Sequence, residues 1–207
     1  LSDEVATLTV TAGTAMYGLD VLGGLIAGQS IAVAGGGPIG LMFIAIAKAL
    51  GAAPVIMSEP RPDRRAMAKT LGADFLINPL KEDPVKRVKE LTNGIGVDFS
   101  VEASGVPTVV NQILHMTNRG GKVCLAAFSN DLTPTDLAYV VSNNIYMFGI
   151  RGEGNSAVRR AASLLKQKRF DPSPLHTHTF PLEEADKAVS YAENQTDGAI
   201  KVVVKMS

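Results

Sequence analysis

The chain has 207 residues, of which 46% are hydrophobic, a size and composition typical of an ordered globular protein of one or two domains. Its 20 basic and 20 acidic side chains cancel, which argues against a broad basic surface for nucleic acid or anionic lipid. Cys124 is the only cysteine, so an internal disulfide and a four-thiolate zinc site are excluded.

Short apolar runs alternate with helical patterns along most of the chain. A first helix is predicted over residues 3–24, and strands are predicted over 30–34, 54–58, 75–77, 98–102, 122–127 and 145–150. Helices are predicted between strands over 39–50, 63–71, 84–91 and 108–116. This alternation is typical of a parallel sheet with helices on both faces. We therefore predict an α/β protein with a doubly wound, six-stranded parallel sheet, the Rossmann fold.

The pattern changes after residue 152. A helix over 156–168 is followed by an extended stretch over 175–180, a helix over 182–194 and a closing strand over 199–204. No uninterrupted apolar run reaches the roughly 20 residues that cross a bilayer, so we expect no membrane partner. A single thiol fits a reducing compartment, and we expect a cytoplasmic protein.

A glycine-rich turn, Gly35-Gly36-Gly37-Pro38-Ile39-Gly40, connects the first predicted strand to the next helix. Gly35 permits the tight turn, Gly37 lets the backbone approach a pyrophosphate, and Gly40 lets the helix pack on the strand. Glu59 ends the second strand, nineteen residues after Gly40, and is placed to accept hydrogen bonds from an adenosine ribose. This combination predicts a dinucleotide site, although an α/β protein whose turn binds nothing is the alternative.

The identity of the nucleotide stays open at two points. Glu59 would repel a 2′-phosphate and favours NAD, whereas the neighbouring Arg61, Arg64 and Arg65 leave NADP possible. An S-adenosylmethionine-dependent methyltransferase uses a similar glycine turn and ribose acid. The stretch 97–105 favours the dinucleotide, because a strand ending in small residues lets a second nucleotide half approach.

Several motifs, taken together, resemble the medium-chain dehydrogenase/reductase family, and within it the zinc-dependent alcohol, polyol and threonine dehydrogenases. The similar stretches lie at 28–42, 68–74, 102–105, 119–122 and 178–183. The resemblance spans essentially the whole chain. It implies an NAD(P)-dependent enzyme that transfers a hydride between the nicotinamide and a small secondary alcohol or polyol.

The resemblance also implies which residues contact the cofactor. The pyrophosphate turn corresponds to Gly35, Gly37, Pro38, Ile39 and Gly40. The adenosine contacts correspond to Glu59, Arg64, Ala103, Ser104 and Gly105. The nicotinamide contacts correspond to Ala127 and Phe128, within the segment 126–128, and to Ile150 and Arg151.

Catalytic zinc in this family is held mainly by an N-terminal domain, and one further ligand position falls near residues 9–12, where neither Cys nor Glu occurs. We therefore expect no catalytic or metal residue in this chain, inactivity of the chain alone, and zinc only in the parent enzyme. His176 and His178 are too few for a metal site by themselves. Cys124 is expected to be a buried core residue.

The resemblance divides the chain into a hinge helix from a preceding catalytic domain (1–27), the dinucleotide-binding domain (28–171) and a segment returning to the catalytic domain (172–207). It also implies a homodimer or homotetramer, with the apolar strand 145–150 as a possible interface edge. A non-enzymatic NAD(H)-binding regulatory module is the alternative function.

Overall fold

The structure is a computed structural model. It describes residues 1–206, with the backbone alone described at position 155. The strands of its main sheet are β1 Ile31–Ala34, β2 Val55–Ser58, β3 Phe75–Ile77, β4 Val97–Glu102, β5 Thr117–Leu125 and β6 Tyr146–Gly149. They form one parallel six-stranded sheet in the order β3-β2-β1-β4-β5-β6. The predicted doubly wound α/β fold is confirmed.

The helices are α1 Asp3–Ala6, α2 Thr9–Asp20, α3 Pro38–Ala49, α4 Pro62–Thr70, α5 Pro84–Leu91, α6 Pro107–Met116, α7 Leu137–Ser142, α8 Gly154–Lys166 and α9 Ala185–Asn194. Helices α3 to α6 each begin with a proline in the first turn. Proline suits this position because its backbone φ is already helical and its missing N–H has no intrahelical partner to lose.

Side chains of β1 alternate between two cores, one on each face of the sheet. Ile31 and Val33 pack with residues of α2, α3, α4 and α8, whereas Ala32 and Ala34 pack with residues of α5 and α6. Every residue of β1 and β2 is buried. The central strands are therefore held rigidly, and their carboxyl ends provide fixed positions for the loops that follow.

The N-terminal stretch differs from its prediction in two ways. The single helix expected over 3–24 is divided into α1 and α2 and ends at Asp20. The stretch Asp3–Gly23 is also long and apolar enough to cross a membrane, with a mean hydropathy of 1.3, although 44% of its most apolar 18-residue window is buried in the protein. Its Ala, Val, Leu and Met residues raise the mean hydropathy, whereas the Thr and Gly residues between them interrupt the apolar run, and the buried face of α2 packs on α3 and α8.

Two features of the fold were not predicted. The extended stretches expected over 175–180 and 199–204 correspond to β7 His176–Pro181 and β8 Lys201–Lys205, but their pairing into a separate parallel sheet, connected through α9, was not expected. The short helix α7 follows Asp136, whose carboxylate accepts a hydrogen bond from the Tyr139 amide at 2.9 Å. Neither feature follows from hydrophobic periodicity, because α7 has only six residues and the pairing of β7 with β8 is a tertiary contact.

Candidate functional site

The three glycines singled out in the turn have different surroundings. Gly35 has a φ of 105°, and a Cβ there would lie 2.6 Å from the backbone of Ala103. A Cβ on Gly40 would collide with the carbonyl oxygen of Gly35. Gly37 has an ordinary φ of −72°, and a Cβ there would meet nothing within 4 Å. Gly35 and Gly40 are thus required by packing within the protein, whereas Gly37 faces open space.

The carboxylate of Glu59 is joined to this turn. Its Oε2 accepts a hydrogen bond from the Gly36 amide at 2.5 Å, and its Oε1 accepts one from the Arg61 amide at 2.9 Å. The residue is only 7% exposed. A Cβ on Gly36 would lie 2.9 Å from Glu59 Cγ and from Arg64 Cβ, so the approach of the acid requires glycine here.

A cleft of about 290 Å³ opens beside these residues, and we call it the switch-point cleft. It lies at the carboxyl ends of β1, β2 and β4, where the strand order reverses on either side of β1. Crevices of this kind bind ligands in open α/β sheets. Its lining residues are Gly35, Gly36, Gly37, Pro38, Glu59, Pro60, Arg61, Arg64, Ala103, Ser104, Ala192, Gln195, Ala199 and Ile200.

Arg64 contributes a buried guanidinium to the cleft. The residue is 3% exposed, and its Nη2 donates a hydrogen bond to the carbonyl oxygen of Ala199. Its buried Nη1 has no hydrogen-bond partner among the described residues. Burial lowers the pKa of Arg64 and the nearby Arg61 cation lowers it further, while Asp63 and Glu59 act in the opposite direction. A buried unpartnered donor at a cleft wall fits a site for a ligand with acceptor atoms.

The loop after β4 is fixed by a second buried acid, Glu102, which is 3% exposed. Its Oε1 accepts hydrogen bonds from the Ser104 amide at 2.7 Å, the Ser104 hydroxyl at 2.5 Å and the Gly105 amide at 3.0 Å. Ala103 and Ser104 line the switch-point cleft, whereas Gly105 and Ala127 line a separate cavity of about 160 Å³. Glu102 therefore holds the loop between these two spaces.

The other residues predicted to contact the cofactor do not line the switch-point cleft. Ile39 packs against the core and Gly40 lies beneath the turn. Phe128 is 82% exposed and Arg151 is also exposed. Ile150 packs against the core, and its amide donates to the Leu125 carbonyl at 3.1 Å. Seven of the predicted cofactor residues thus meet at the switch-point cleft, namely Gly35, Gly37, Pro38, Glu59, Arg64, Ala103 and Ser104. Ile39, Gly40, Gly105 and the predicted nicotinamide residues lie outside its lining.

Sequence reasoning missed the residues of the C-terminal segment that line the cleft. Within the segment 172–207, Ala192, Gln195, Ala199 and Ile200 form one wall of the cleft. Gln195 accepts a hydrogen bond from Arg61, as Ala199 does from Arg64. No local motif marks these positions, because contacts between residues more than 130 positions apart bring them to α4.

The described residues include no group of three or more His, Cys, Asp or Glu side chains that could hold a metal ion. His176 bonds to Thr179 at 2.8 Å, and His178 packs with the rings of Phe180 and Tyr191. Burial of Cys124, which is 0% exposed, raises the pKa of its thiol to about 12. The described part of the chain therefore does not fit a catalytic zinc site by itself.

A doubly wound sheet with a glycine turn and an acid at the end of β2 has the form of dinucleotide-binding α/β domains. A family model described as zinc-binding dehydrogenase matches residues 38–167. The chain belongs to the zinc-binding dehydrogenase family. The predicted resemblance to the zinc-dependent branch of the medium-chain dehydrogenases is thereby confirmed.

Individual relatives agree with this assignment. An L-threonine 3-dehydrogenase of Thermococcus kodakarensis is 38% identical over 86% of this chain and 51% of its own length. Among solved structures, an alcohol dehydrogenase from Thermus sp. ATN1 superposes with a TM-score of 0.92 at 32% identity, over 100% of this chain and 61% of its own. The 2R,3R-butanediol dehydrogenase of Bacillus subtilis superposes with a TM-score of 0.91 at 30% identity, over 99% of this chain and 58% of its own. The chain spans about half the length of the curated relatives it matches.

Proposed function

We propose that this chain is the cofactor-binding part of an NAD(P)-dependent dehydrogenase that transfers a hydride between the nicotinamide and a small secondary alcohol or polyol. The observation that carries the proposal is the meeting of Gly37, Glu59 and Arg64 at the switch-point cleft. Membership of the zinc-binding dehydrogenase family gives the reaction type. The bound cofactor would supply the hydride chemistry, and the residues present supply binding and orientation.

The surroundings of the turn fit the adenosine diphosphate half of such a cofactor. The open space at Gly37 leaves room for a phosphate group close to the backbone. The amides that follow Pro38 in the first turn of α3 lack intrahelical partners, and the helix dipole favours an anion at this end of the helix. Glu59 keeps acceptor capacity for ribose hydroxyls, because each of its oxygens accepts only one of the hydrogen bonds described above.

Two observations favour NAD over NADP in this proposal. Glu59 brings a carboxylate to the ribose position, where it would repel a 2′-phosphate. Most donors of the nearby arginines are already engaged: Arg61 with Asp63 and Gln195, Arg64 Nη2 with Ala199, and Arg65 with the carbonyl oxygens of Glu59 and Pro60 at 2.7 and 2.6 Å. Among the buried side-chain donors that the structure describes in the cleft wall, Arg64 Nη1 alone is without a partner. A 2′-phosphate would have to compete for these guanidinium groups.

The substrate class is proposed from relatives whose names specify threonine, alcohol and 2R,3R-butanediol dehydrogenases. These compounds share a secondary or primary carbinol carbon from which a hydride is removable. Catalytic zinc, as the family description suggests, would need ligands from outside the residues described here. We accordingly propose that this chain alone binds cofactor without turnover.

We further propose that the protein forms a homodimer or homotetramer and lies in the cytoplasm. Strand β6 is the edge of the main sheet, since it pairs only with β5. Tyr146 at this edge is 54% exposed, and Val141 on the preceding helix α7 is 76% exposed. Exposed apolar sheet edges are commonly covered in an assembly. A clean monomer mass in solution would contradict the oligomer.

The activity is tested with the full-length gene product that contains this chain. A panel of L-threonine, 2,3-butanediol and polyols is assayed with NAD and NADP at 340 nm. The proposal expects reduction of NAD with at least one member of the panel. Cofactor binding without any reduction would instead favour a non-enzymatic NAD(H)-binding module.

Binding is tested separately by thermal melting of the chain with NADH or S-adenosylmethionine. Stabilisation by NADH and not by S-adenosylmethionine is expected, because the cleft has the features of a dinucleotide site. Stabilisation by S-adenosylmethionine alone would contradict the proposed function.

A further inference from the structure

The rim of the switch-point cleft carries an ion pair between Arg61 and Asp63. Arg61 Nη2 lies 2.8 Å from Asp63 Oδ2, and Arg61 Nε donates to Asp63 Oδ1 at 3.2 Å. This fork uses two donors of the guanidinium and both oxygens of the carboxylate. Arg61 also donates to Gln195 Oε1 on the opposite wall of the cleft. The guanidinium of Arg61 is thus held in place on two sides.

Asp63 lies near a second arginine as well. Its Oδ2 is 3.7 Å from Nε of Arg64, and the Nη2 of that guanidinium donates to the neutral carbonyl group of Ala199. The hydrogen bond from Arg61 holds the pKa of Asp63 below its ordinary value, so the carboxylate is charged at neutral pH. Asp63 therefore offsets positive charge on both arginines that line the cleft.

The carboxylates of Glu59 and Asp63 offset the guanidinium groups of Arg61 and Arg64, the two arginines that line the cleft. Arg65, which donates to the carbonyl oxygens of Glu59 and Pro60, adds a third positive charge outside this lining. A phosphate monoester such as the 2′-phosphate of NADP carries about 1.5 to 2 negative charges at pH 7. The 2′-hydroxyl of NAD carries none. Any change in the charge of this cluster should therefore affect NADP binding far more than NAD binding.

We propose that Asp63 is a specificity-determining residue that disfavours NADP by neutralising Arg61 and Arg64 at the cleft. This inference rests on the proposed function, since it concerns the cofactor choice of the same site. It adds to the repulsion from Glu59 a second effect: Asp63 removes the attraction that the two arginines would exert on a 2′-phosphate. A residue in the first turn of α4 thus acts on the cofactor through Arg61, whose guanidinium it immobilises.

The test replaces Asp63 with Asn and measures the dissociation constants of NADH and NADPH by titration calorimetry. The ratio of the NADPH constant to the NADH constant should fall by about fivefold, because a nearby unit charge has been removed. The effect should shrink at high salt. The double variant Asp63→Asn, Arg61→Gln should return the ratio toward its original value.

The matched control is Glu184→Gln, which removes an exposed carboxylate paired with Lys187 at 2.9 Å and outside the lining of the cleft. This variant should leave the ratio unchanged. Since Asp63 also lies in the acidic first turn of α4, a purely structural role would weaken both cofactors equally. If Asp63→Asn fails to fold, Asp63→Ser keeps a helix-start oxygen without the charge.

The possible results distinguish the role of Asp63 from the proposed binding of a nicotinamide cofactor. A ratio for Asp63→Asn within twofold of the unchanged protein, with NADH still bound, would overturn the role of Asp63 and leave the proposed function intact. Absence of binding of either cofactor to the unchanged protein would contradict the proposed function itself.

Discussion

The carboxylate of Glu59 accepts a hydrogen bond from the Gly36 amide at 2.5 Å, which joins the end of β2 to the turn after β1. Glu59 and the glycine turn are therefore one unit of structure. Because both flanking strands are fully buried, the position of this unit is fixed by the core. This coupling explains why a change in Glu59 should affect the turn as well as a ribose.

Replacement of Glu59 with Gln should weaken NADH binding by about 30-fold. Hydrogen bonds to a charged group contribute about 2 kcal/mol, and the neutral amide also lacks the second acceptor that the Arg61 amide uses. Calorimetric titration measures the affinity, and a thermal melt without ligand reports the effect on the turn. Unchanged NADH affinity would show that Glu59 does not contact the ribose.

The pair Gly37→Ala and Gly40→Ala should separate cofactor binding from folding. An added methyl at Gly37 meets no protein atom within 4 Å and would occupy cofactor space, so NADH affinity should fall at least tenfold with little change in melting temperature. The methyl at Gly40 would collide with the Gly35 carbonyl, so this variant should lose stability by about 1–3 kcal/mol. Equal effects of the two substitutions on the melting temperature would contradict this distinction.

Cys124 should resist thiol reagents in the folded protein. Its side chain is fully buried, and burial raises its thiol pKa to about 12, so almost no thiolate is present at neutral pH. A disulfide reagent at pH 7.5 should modify this thiol only after unfolding in guanidinium chloride. Fast modification of the native protein would show that the strand β5 opens readily.

Asp74→Asn should reveal a pH-dependent contribution to stability. Burial raises the pKa of Asp74, but hydrogen bonds from Lys48 at 2.6 Å and the Val55 amide at 2.8 Å outweigh it, and the pKa lies below its ordinary value. Stability from such a group is fully present above the unfolded pKa of about 3.9 and is lost as pH falls through the lower folded pKa. Asp74→Asn should lower the free energy of unfolding by about 1 kcal/mol at pH 7, since the ion pair between Asp74 and Lys48 is partly exposed and screened by solvent.

Urea unfolding at pH 7 and pH 3 measures this contribution, with the exposed Asp131→Asn as the control. The difference between Asp74→Asn and the unchanged protein should be largest at pH 7 and shrink at pH 3. A difference that stays constant across this range would mean that charge on Asp74 is not the cause.

The sheet and the turn were predictable because local patterns encode them. Buried parallel strands appear as short apolar runs, and the spacing between Gly40 and Glu59 follows from one βα unit. The site was only partly predictable. Ala192 and Gln195 reach the cleft through the packing of α9 and β8, which no local pattern records.

Two further differences have similar physical causes. The helix predicted over 3–24 is divided into α1 and α2, and its small residues allow α2 to pack closely on α8, a tertiary contact that the local sequence does not record. The role of Asp63 was not predictable either. Asp63 lies two residues after Arg61, and this spacing alone does not predict an ion pair. The side chains meet because of the backbone conformation at the start of α4.

The central claim is that the switch-point cleft binds the adenosine diphosphate half of a nicotinamide cofactor. Calorimetric titration of the protein with ADP-ribose, which lacks the nicotinamide, tests it most directly. We predict one site per chain, lost in Gly37→Ala and displaced by NADH. Failure of ADP-ribose to bind, or binding that survives in Gly37→Ala without displacement by NADH, would contradict the claim.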